Sequence, residues 1–509
     1  MSLIPRLENL FDHARLLAYP LCLLPIFLLL WTKVKHQKQL RTALRGCKKL
    51  GLHGSSNLSD EYHPKYTKSN PDSLDATSTE AWKIKALFVY PIKSCAAVEL
   101  DTADISSTGL TWDRQFCFAE YTVPTQFPTG TPDSEKKKPR WTFRTLRKPG
   151  YESLVHVRPE IWVPDPQYAR MNHISDPNLA GVLVINYPNI PRGTLPTRLV
   201  HQTGQLLHLM PKESSFHVPL LPPKQHTYPL EPVSIWKEIP FGYNYGRHVP
   251  AEFKAYLKIP DTTPFTLFRA SPAHYREVYR NAPRRGPAPG QVPYQPIVAF
   301  PDSYPVHLLN LASVRDVAGR VKSTIPHLSA GRFRPNILIT GPAAYDEDDW
   351  KGVRVLHRHH QKTPTITTTP PSAAAAPPPP PAKANPKNGE LAAAAAEPSD
   401  PPSSVDFHTA CHTLRCRLPN VDPLTGIRHP SEPDRTLKSF RCIDRGDERN
   451  AALGLQLVPA RPGNRHEESG TDGRKEDDDD DDDEKAKMKI AVGDEIEVLD
   501  RGELVYVRY

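Results

Sequence analysis

Proline, 57 of 509 residues, constrains this chain more than any other feature. That is roughly twice the usual ~5 %, and a residue without an amide donor sits neither inside a helix nor in a central strand. Long helices are therefore expected only where proline thins out. Between 362 and 404 the sequence reads KTPTITTTPPSAAAAPPPPPAKANPKNGELAAAAAEPSDPPSS, with almost nothing to bury against the entropy of ordering it. It is predicted to be a disordered insert. A second insert is expected at about 461–485, where Glu476 to Glu484 (EDDDDDDDE) keeps the chain solvated by self-repulsion.

Removing those nine negative charges from the net +8 leaves +17 on the remainder, which calls for an anionic partner. Nucleic acid is the obvious candidate, but zinc-finger spacing, an aromatic-and-basic RNA signature and a basic helix with heptads are all missing. Nucleic-acid binding is not expected.

After a tail at 1–14, Leu16 to Trp31 (LLAYPLCLLPIFLLLW) is apolar throughout, and Lys33, Lys35, Lys38, Arg41, Arg45, Lys48 and Lys49 follow. No small-residue cleavage site separates the two, and positive charge is retained on the cytosolic side. A single-pass membrane anchor at 15–31 is predicted, with the body facing the cytosol. Residues 32–80 read as a basic and then polar tether. Seven scattered cysteines form no disulfide framework, in keeping with a reducing compartment.

The body reads as short β-runs: AWKIKALFVYPIKS, VELDTADI, Gln115 to Tyr121, VLVINYP, QLLHLM and TPFTLFRA. Helical periodicity is confined to AEFKAYLK and LASVRDVAGRV. The fold class is mainly β with α/β elements, and with so few helical periods the strands are expected to close into barrels.

Several positions carry chemistry. Lys93 and Ser94 follow a strand and a proline, where free amides, a charge and a hydroxyl suit a phosphate, although a strand-end lysine is ordinarily solvated. Arg114 and Arg334 each adjoin an apolar run and need an anion or carboxylate, which for Arg114 could be its neighbour Asp113. His408, Cys411, His412 and Cys416 fall within nine residues and leave zinc open, without the usual CxxC knuckle. Arg415 and Arg417 flank Cys416 and would favour its thiolate, as nucleophile or as soft ligand for a transition metal. The cluster HRHH, from His357 to His360, reads as a solvated edge.

Taken in order, YPIKSC, GLTWDRQF, FRPNILI, AYDEDDW, RCRLPNVDPLTG, EPDRTLKSFR and KIAVGDEIEVL resemble proteins with a MOSC N-terminal β-barrel and a MOSC domain. The chain is similar to fungal-type relatives of the mitochondrial amidoxime-reducing component. The resemblance implies a MOSC N-terminal β-barrel domain at 81–270 and a MOSC domain at 271–509 carrying both inserts. It implies the molybdenum cofactor: Lys93, Ser94 and Arg114 on the pterin phosphate, Arg334 and Asn336 on the opposite side, Asp302, Ser303 and Tyr304 in a contacting loop, Arg415 beside them, and Cys416 as metal ligand and catalytic residue. Cys411, with four residues between it and Cys416 where the family commonly has two, receives no role, and Tyr304 stands where a small hydroxyl is expected. Reduction of N-hydroxylated compounds with electrons from cytochrome b5 and NADH-cytochrome b5 reductase is implied, at the mitochondrial outer membrane or the endoplasmic reticulum. The alternatives are a molybdenum-cofactor sulfur carrier and a non-catalytic membrane-tethered scaffold.

Overall fold

A computed structural model describes residues 27, 31, 33–35, 37–66, 82–174, 178–191, 194–206, 210–222, 228–286, 291–357, 403–461 and 488–507. Nearly all of the predicted anchor and both inserts lie outside these, as do Arg358 to His360. Among the described residues no helix is long and apolar enough to cross a membrane.

The first strand of the body, β1 (Lys83–Val89), alternates at its start and is then buried on both faces from Ala86 onward. Burial on two faces requires neighbours on both, and β1 proves to be part of a large ring. Before that ring is completed the chain builds a smaller barrel from β2 (Phe116–Thr122), β3 (Arg140–Phe143), β4 (Leu230–Ser234), β5 (Phe241–Asn244) and β6 (Phe265–Ala270). Its order is β4-β5-β6-β2-β3, closed by a parallel pairing of Val233 with Trp141 and Ser234 with Thr142.

The ring is then finished by β7 (Val306–Asn310), β8 (Ile337–Thr340), β9 (Trp350–His357), β10 (Ser403–Leu414), β11 (Ala452–Pro459) and β12 (Glu495–Arg501). The order β8-β7-β11-β10-β9-β12-β1 closes where Ile337 and Leu338 meet Leu87 and Ala86, which leaves this part of the ring without an open edge. Helix α1 (Leu311–Val321) connects β7 to β8. Asn310 caps it by accepting from the Ala312 amide at 3.0 Å, and Leu311, Val314, Val317 and Val321 pack on Phe88 and Leu338. A third, four-stranded antiparallel sheet joins Cys47–Lys49, Arg158–Pro164, Val182–Pro188 and Glu213–Pro219 in that order. Its three longer strands, like β11, end on proline, where a ladder loses its next donor.

Three readings from sequence are corrected here. The tether at 32–80 is in part structured: Cys47–Lys49 pairs with Trp162–Pro164, and Asp60 binds Lys85 at 2.7 Å. Glu61, buried, accepts from the Ala330 amide at 2.9 Å and lies 3.9 Å from Arg315. Sequence pattern hid this because each partner lies far along the chain. The division at 270/271 does not follow the sheets, since β1 belongs to the ring otherwise made of residues after 271. Finally, the predicted strand QLLHLM begins inside a helix, since Gln205 and Leu206 end the helix Leu195–Leu206 and the next three residues lie outside the described ones; a further helix, Asp434–Phe440, stands in EPDRTLKSFR.

Candidate functional site

A cavity of about 180 Å³ opens where β1, β3 and β10 end and β7 and β8 begin. His408 and Arg417 do not line it, whereas the ten residues that the resemblance assigns to the cofactor all do. Each arrives from a segment just outside a strand, where the backbone leaves the ladder and is free to turn. Three of them, Ser94 (φ 72°), Arg114 (φ 48°) and Arg334 (φ 54°), adopt the left-handed conformation that side chains with a Cβ usually avoid. Such strain persists only where surrounding contacts enforce it. Gly109 is required nearby for a different reason: at φ +101° a Cβ there would stand 2.5 Å from the Pro305 carbonyl oxygen, so only glycine lets this turn press the 301–305 loop into the cavity wall.

Tyr90, buried at the start of YPIKSC, is the platform of the inner wall. The guanidinium of Arg334 lies 4.0 Å from its ring centroid and that of Arg114 lies 4.8 Å away. Arg114 also binds Asp113, as the sequence allowed, and donates to Asn336 Oδ1 at 3.2 Å. Asn336 is fully engaged, accepting in addition from the His307 amide at 3.1 Å and donating to the Phe88 carbonyl at 3.1 Å. It therefore holds β1, β7 and β8 in register with the cavity. Arg334 Nη2, by contrast, is buried with no hydrogen-bond partner among the described residues. An orphaned guanidinium nitrogen in a cavity wall carries a cost that an anion would remove.

Lys93 is buried, contrary to the usual fate of a strand-end lysine. Its ammonium donates to the Phe300 carbonyl at 2.8 Å and to Asp302 at 2.5 Å. Burial pushes its pKa down to about 8, against the pull of Asp302. Asp302 also accepts from Arg147 at 2.7 Å and from the Trp236 indole at 3.2 Å. Although burial opposes its charge, Arg147 and Lys93 together hold this carboxyl well below the usual carboxylate range. Asp302 thus acts as an internal counter-ion that keeps Lys93 protonated and oriented.

The remaining positions divide by what their polar atoms already touch. Ser94 Oγ accepts from the Leu146 amide at 3.2 Å. The Tyr304 hydroxyl accepts from Asn281 at 2.9 Å and donates to the Arg280 carbonyl at 3.1 Å, so it is already engaged. Arg415 donates to the carbonyls of Leu453 (2.9 Å) and Phe333 (3.2 Å), and its Nη2 stands 2.7 Å from His307 Nε2. Burial, and then the Arg415 charge, drive the His307 pKa well below its ordinary value. Neutral His307 therefore accepts at Nε2 and directs its Nδ1 proton to the Arg334 carbonyl at 3.2 Å. Cys416 is half-buried and borders a second, outer cleft of about 720 Å³ that shares Arg147, Tyr304 and Tyr506 with the inner cavity.

The zinc reading of the thiol and imidazole cluster is not supported. His412 is committed at both nitrogens, to Asp444 at 2.7 Å and the Asp348 carbonyl at 2.9 Å, and burial pushes the Cys411 thiol up to about 12. Among the described residues no group of three metal-binding side chains assembles. Sequence reasoning missed Arg147 and His307. Arg147 stood beyond β3 in TLRKPG as one more basic residue, and His307 lay inside the apolar run PVHLLN, where only its position at the start of β7 marks it.

The donor set suits a phosphate-bearing group with a soft metal. Lys93, Arg114, Arg147, Arg334 and Arg415 surround the inner cavity, one of them with an unpaired nitrogen, and a thiol sits at the rim. A MOSC N-terminal beta barrel domain matches residues 81–147 and a MOSC domain matches 295–368. Cys416 and Arg415 lie beyond both stretches. Component 2 of the rat (Rattus norvegicus) mitochondrial amidoxime reducing proteins is 26% identical over 147 residues, 29% of each chain. Component 1 of Danio rerio is 26% identical over 169 residues, 33% of this chain and 37% of that one, and human component 1 is 25% identical over 170 residues. The matches thus span about a third of the length of these curated relatives. With two barrels meeting at a cationic cavity and both domain matches falling on its walls, the chain carries a MOSC N-terminal β-barrel domain and a MOSC domain, distantly similar to the mitochondrial amidoxime-reducing components.

Proposed function

We propose that this protein is a membrane-anchored oxidoreductase that binds the molybdenum cofactor and reduces N-hydroxylated compounds such as amidoximes and hydroxylamines. The observation that carries this reading is the place of Cys416, at the boundary between a cationic inner cavity and an open outer cleft. Lys93, Ser94, Arg114, Arg334 and Asn336 would hold the pterin and its phosphate, Asp302, Ser303, Tyr304 and Arg415 would line it, and Cys416 would ligate the metal. When bound, the group supplies two-electron redox chemistry. The chain supplies the rest. Arg114 and Arg334, fixed on Tyr90, offer pre-oriented positive charge, so an anion binds without reorganisation. Asp302 keeps Lys93 protonated at neutral pH, and Trp236 and Tyr304 line the outer cleft beside Cys416. Cytochrome b5 and its NADH-dependent reductase are the proposed electron source, with the anchor at 15–31 in the mitochondrial outer membrane or endoplasmic reticulum.

The test is molybdenum per protein, and NADH-dependent amidoxime reduction with cytochrome b5 and its reductase, for the full chain and Cys416→Ala made where the cofactor is synthesised. About one metal in the wild type and little in the variant, with activity lost at least ~100-fold, is expected. Metal in neither protein would overturn the reading in favour of a scaffold. Equal metal in both would mean another residue is the ligand.

A further inference from the structure

The segment that follows the apolar stretch Leu16–Trp31 is not a free tether where it meets the body. Residues 37–43 are helical and lead through one turn into strand Cys47–Lys49, which pairs with Trp162–Pro164. Asn178 closes the helix end: its side-chain amide donates to the Ala43 carbonyl at 2.7 Å and its backbone amide to the Arg45 carbonyl at 2.8 Å. The Asp165 amide donates to the Gly46 carbonyl at 2.9 Å. Gly46, Asp165, Asn178 and Gly181 thus gather at one end of the four-stranded sheet, where the chain arrives from its N-terminal side.

That end is unlike an ordinary protein surface. The short helix Pro166–Met171 and the turn at 178–181 present Met171 (80% exposed), Leu179 (71%) and Tyr168 (48%), and Arg170 lies exposed among them. Lys38, Arg41, Arg45 and Lys48 are exposed on the helix and strand that the same residues clamp. Large apolar tips among exposed bases, with the Asp165 carboxylate turned to the Tyr168 amide at 2.9 Å, fit a bilayer interface of anionic lipid, the tips entering the headgroup layer and the bases meeting its phosphates. The sixteen residues from Trp31 to Cys47 cannot carry this sheet end more than roughly 55 Å from the end of the apolar stretch even when fully extended, and the helical part, at about 1.5 Å per residue, brings it nearer.

We infer that this end of the sheet, formed by Tyr168, Arg170, Met171 and Leu179 with the clamped basic helix, lies on an anionic lipid surface and fixes the orientation of the body. The inference rests on the membrane-anchor reading above. It makes the junction a rigid bracket, so that the cavity is held at one height and one angle above the bilayer.

The full chain is reconstituted into phosphatidylcholine vesicles with and without phosphatidylserine, carrying a nitroxide on a fraction of headgroups. A fluorophore is placed on Met171→Cys, Leu179→Cys or, as reference, Leu206→Cys, which is equally exposed on the helix at the opposite end of the sheet; the wild-type chain serves as labelling blank. Quenching about threefold or more above the reference is expected at 171 and 179 in anionic vesicles, reduced by Arg170→Glu with Lys38→Glu. Equal, aqueous behaviour at all three sites in a chain that resists alkaline extraction would overturn the inference and leave the anchor standing. A chain released by alkaline extraction would overturn both.

Discussion

At the scale of the residue, the two buried titratable groups Lys93 and Glu347 give separable pH signatures, one in cofactor retention and the other in stability. Lys93 titrates near 8 in the folded protein. Retention of an anionic cofactor is therefore expected to weaken several-fold as pH rises from about 7 to 9, through loss of the lysine proton, while the arginines stay charged. Dialysis of the loaded protein across this range, followed by metal analysis, checks it; Lys93→Arg should flatten the curve. Glu347 accepts from Ser313 at 2.8 Å and from Asn310 at 3.0 Å, and burial raises its pKa from 4.5 to about 7. The folded state thus binds the proton more tightly than the unfolded chain does. Stability is highest below about 4.5 on this account and falls as pH rises to about 7, beyond which the loss is complete. Glu347→Gln should be about 1–3 kcal/mol more stable than wild type at pH 8, and the difference should shrink toward pH 5 in denaturant titrations. Lys93 was legible as a candidate because a lysine and a serine followed a strand and a proline. Its burial and its pairing with Asp302 were not legible, because that partner lies more than two hundred residues away.

At the scale of the element, the polyproline insert leaves and re-enters the ring at adjacent residues. His357 at the end of β9 is the register partner of Ser403 at the start of β10, so the insert joins a hairpin whose ends are already hydrogen-bonded neighbours. Replacing 358–402 by Asn-Gly should keep the unfolding midpoint within a few degrees of wild type and leave metal content unchanged. A midpoint lower by more than ten degrees would show that the insert packs on the body. The opposite outcome is expected for residues 47–66, which composition alone placed in a tether. Removing them takes away the Glu61 carboxylate that meets Arg315 and the Ala330 amide, and strips the strand that covers Arg158–Pro164. A chain starting at 67 should be destabilised by about 2–4 kcal/mol relative to one starting at 33, measured by denaturant unfolding. Glu61→Gln should account for a part of this.

At the scale of the whole molecule, a two-barrel body binds its cavity from segments spread over more than three hundred residues. Its β character, the scarcity of long helices and the candidacy of Lys93, Arg114, Arg334 and Cys416 followed from the sequence, whereas Asp302, Ser303, Tyr304 and Asn336 came only from the resemblance. The former are set by local chemistry: proline removes donors, and a basic residue beside an apolar run needs an anion. The sheets to which those strands belong were decided only in three dimensions. The resemblance assigned β1 to the domain of the first barrel, yet it closes the second, because Leu87 and Ala86 find Ile337 and Leu338 across the ring. The same holds for the site. Residue type and spacing nominated the basic residues and the thiol, but which arginine is satisfied and which is left with an unpaired nitrogen depends on contacts to Tyr90, Asp113 and Asn336. Those contacts join residues distant in sequence, and only the closed barrels bring them together.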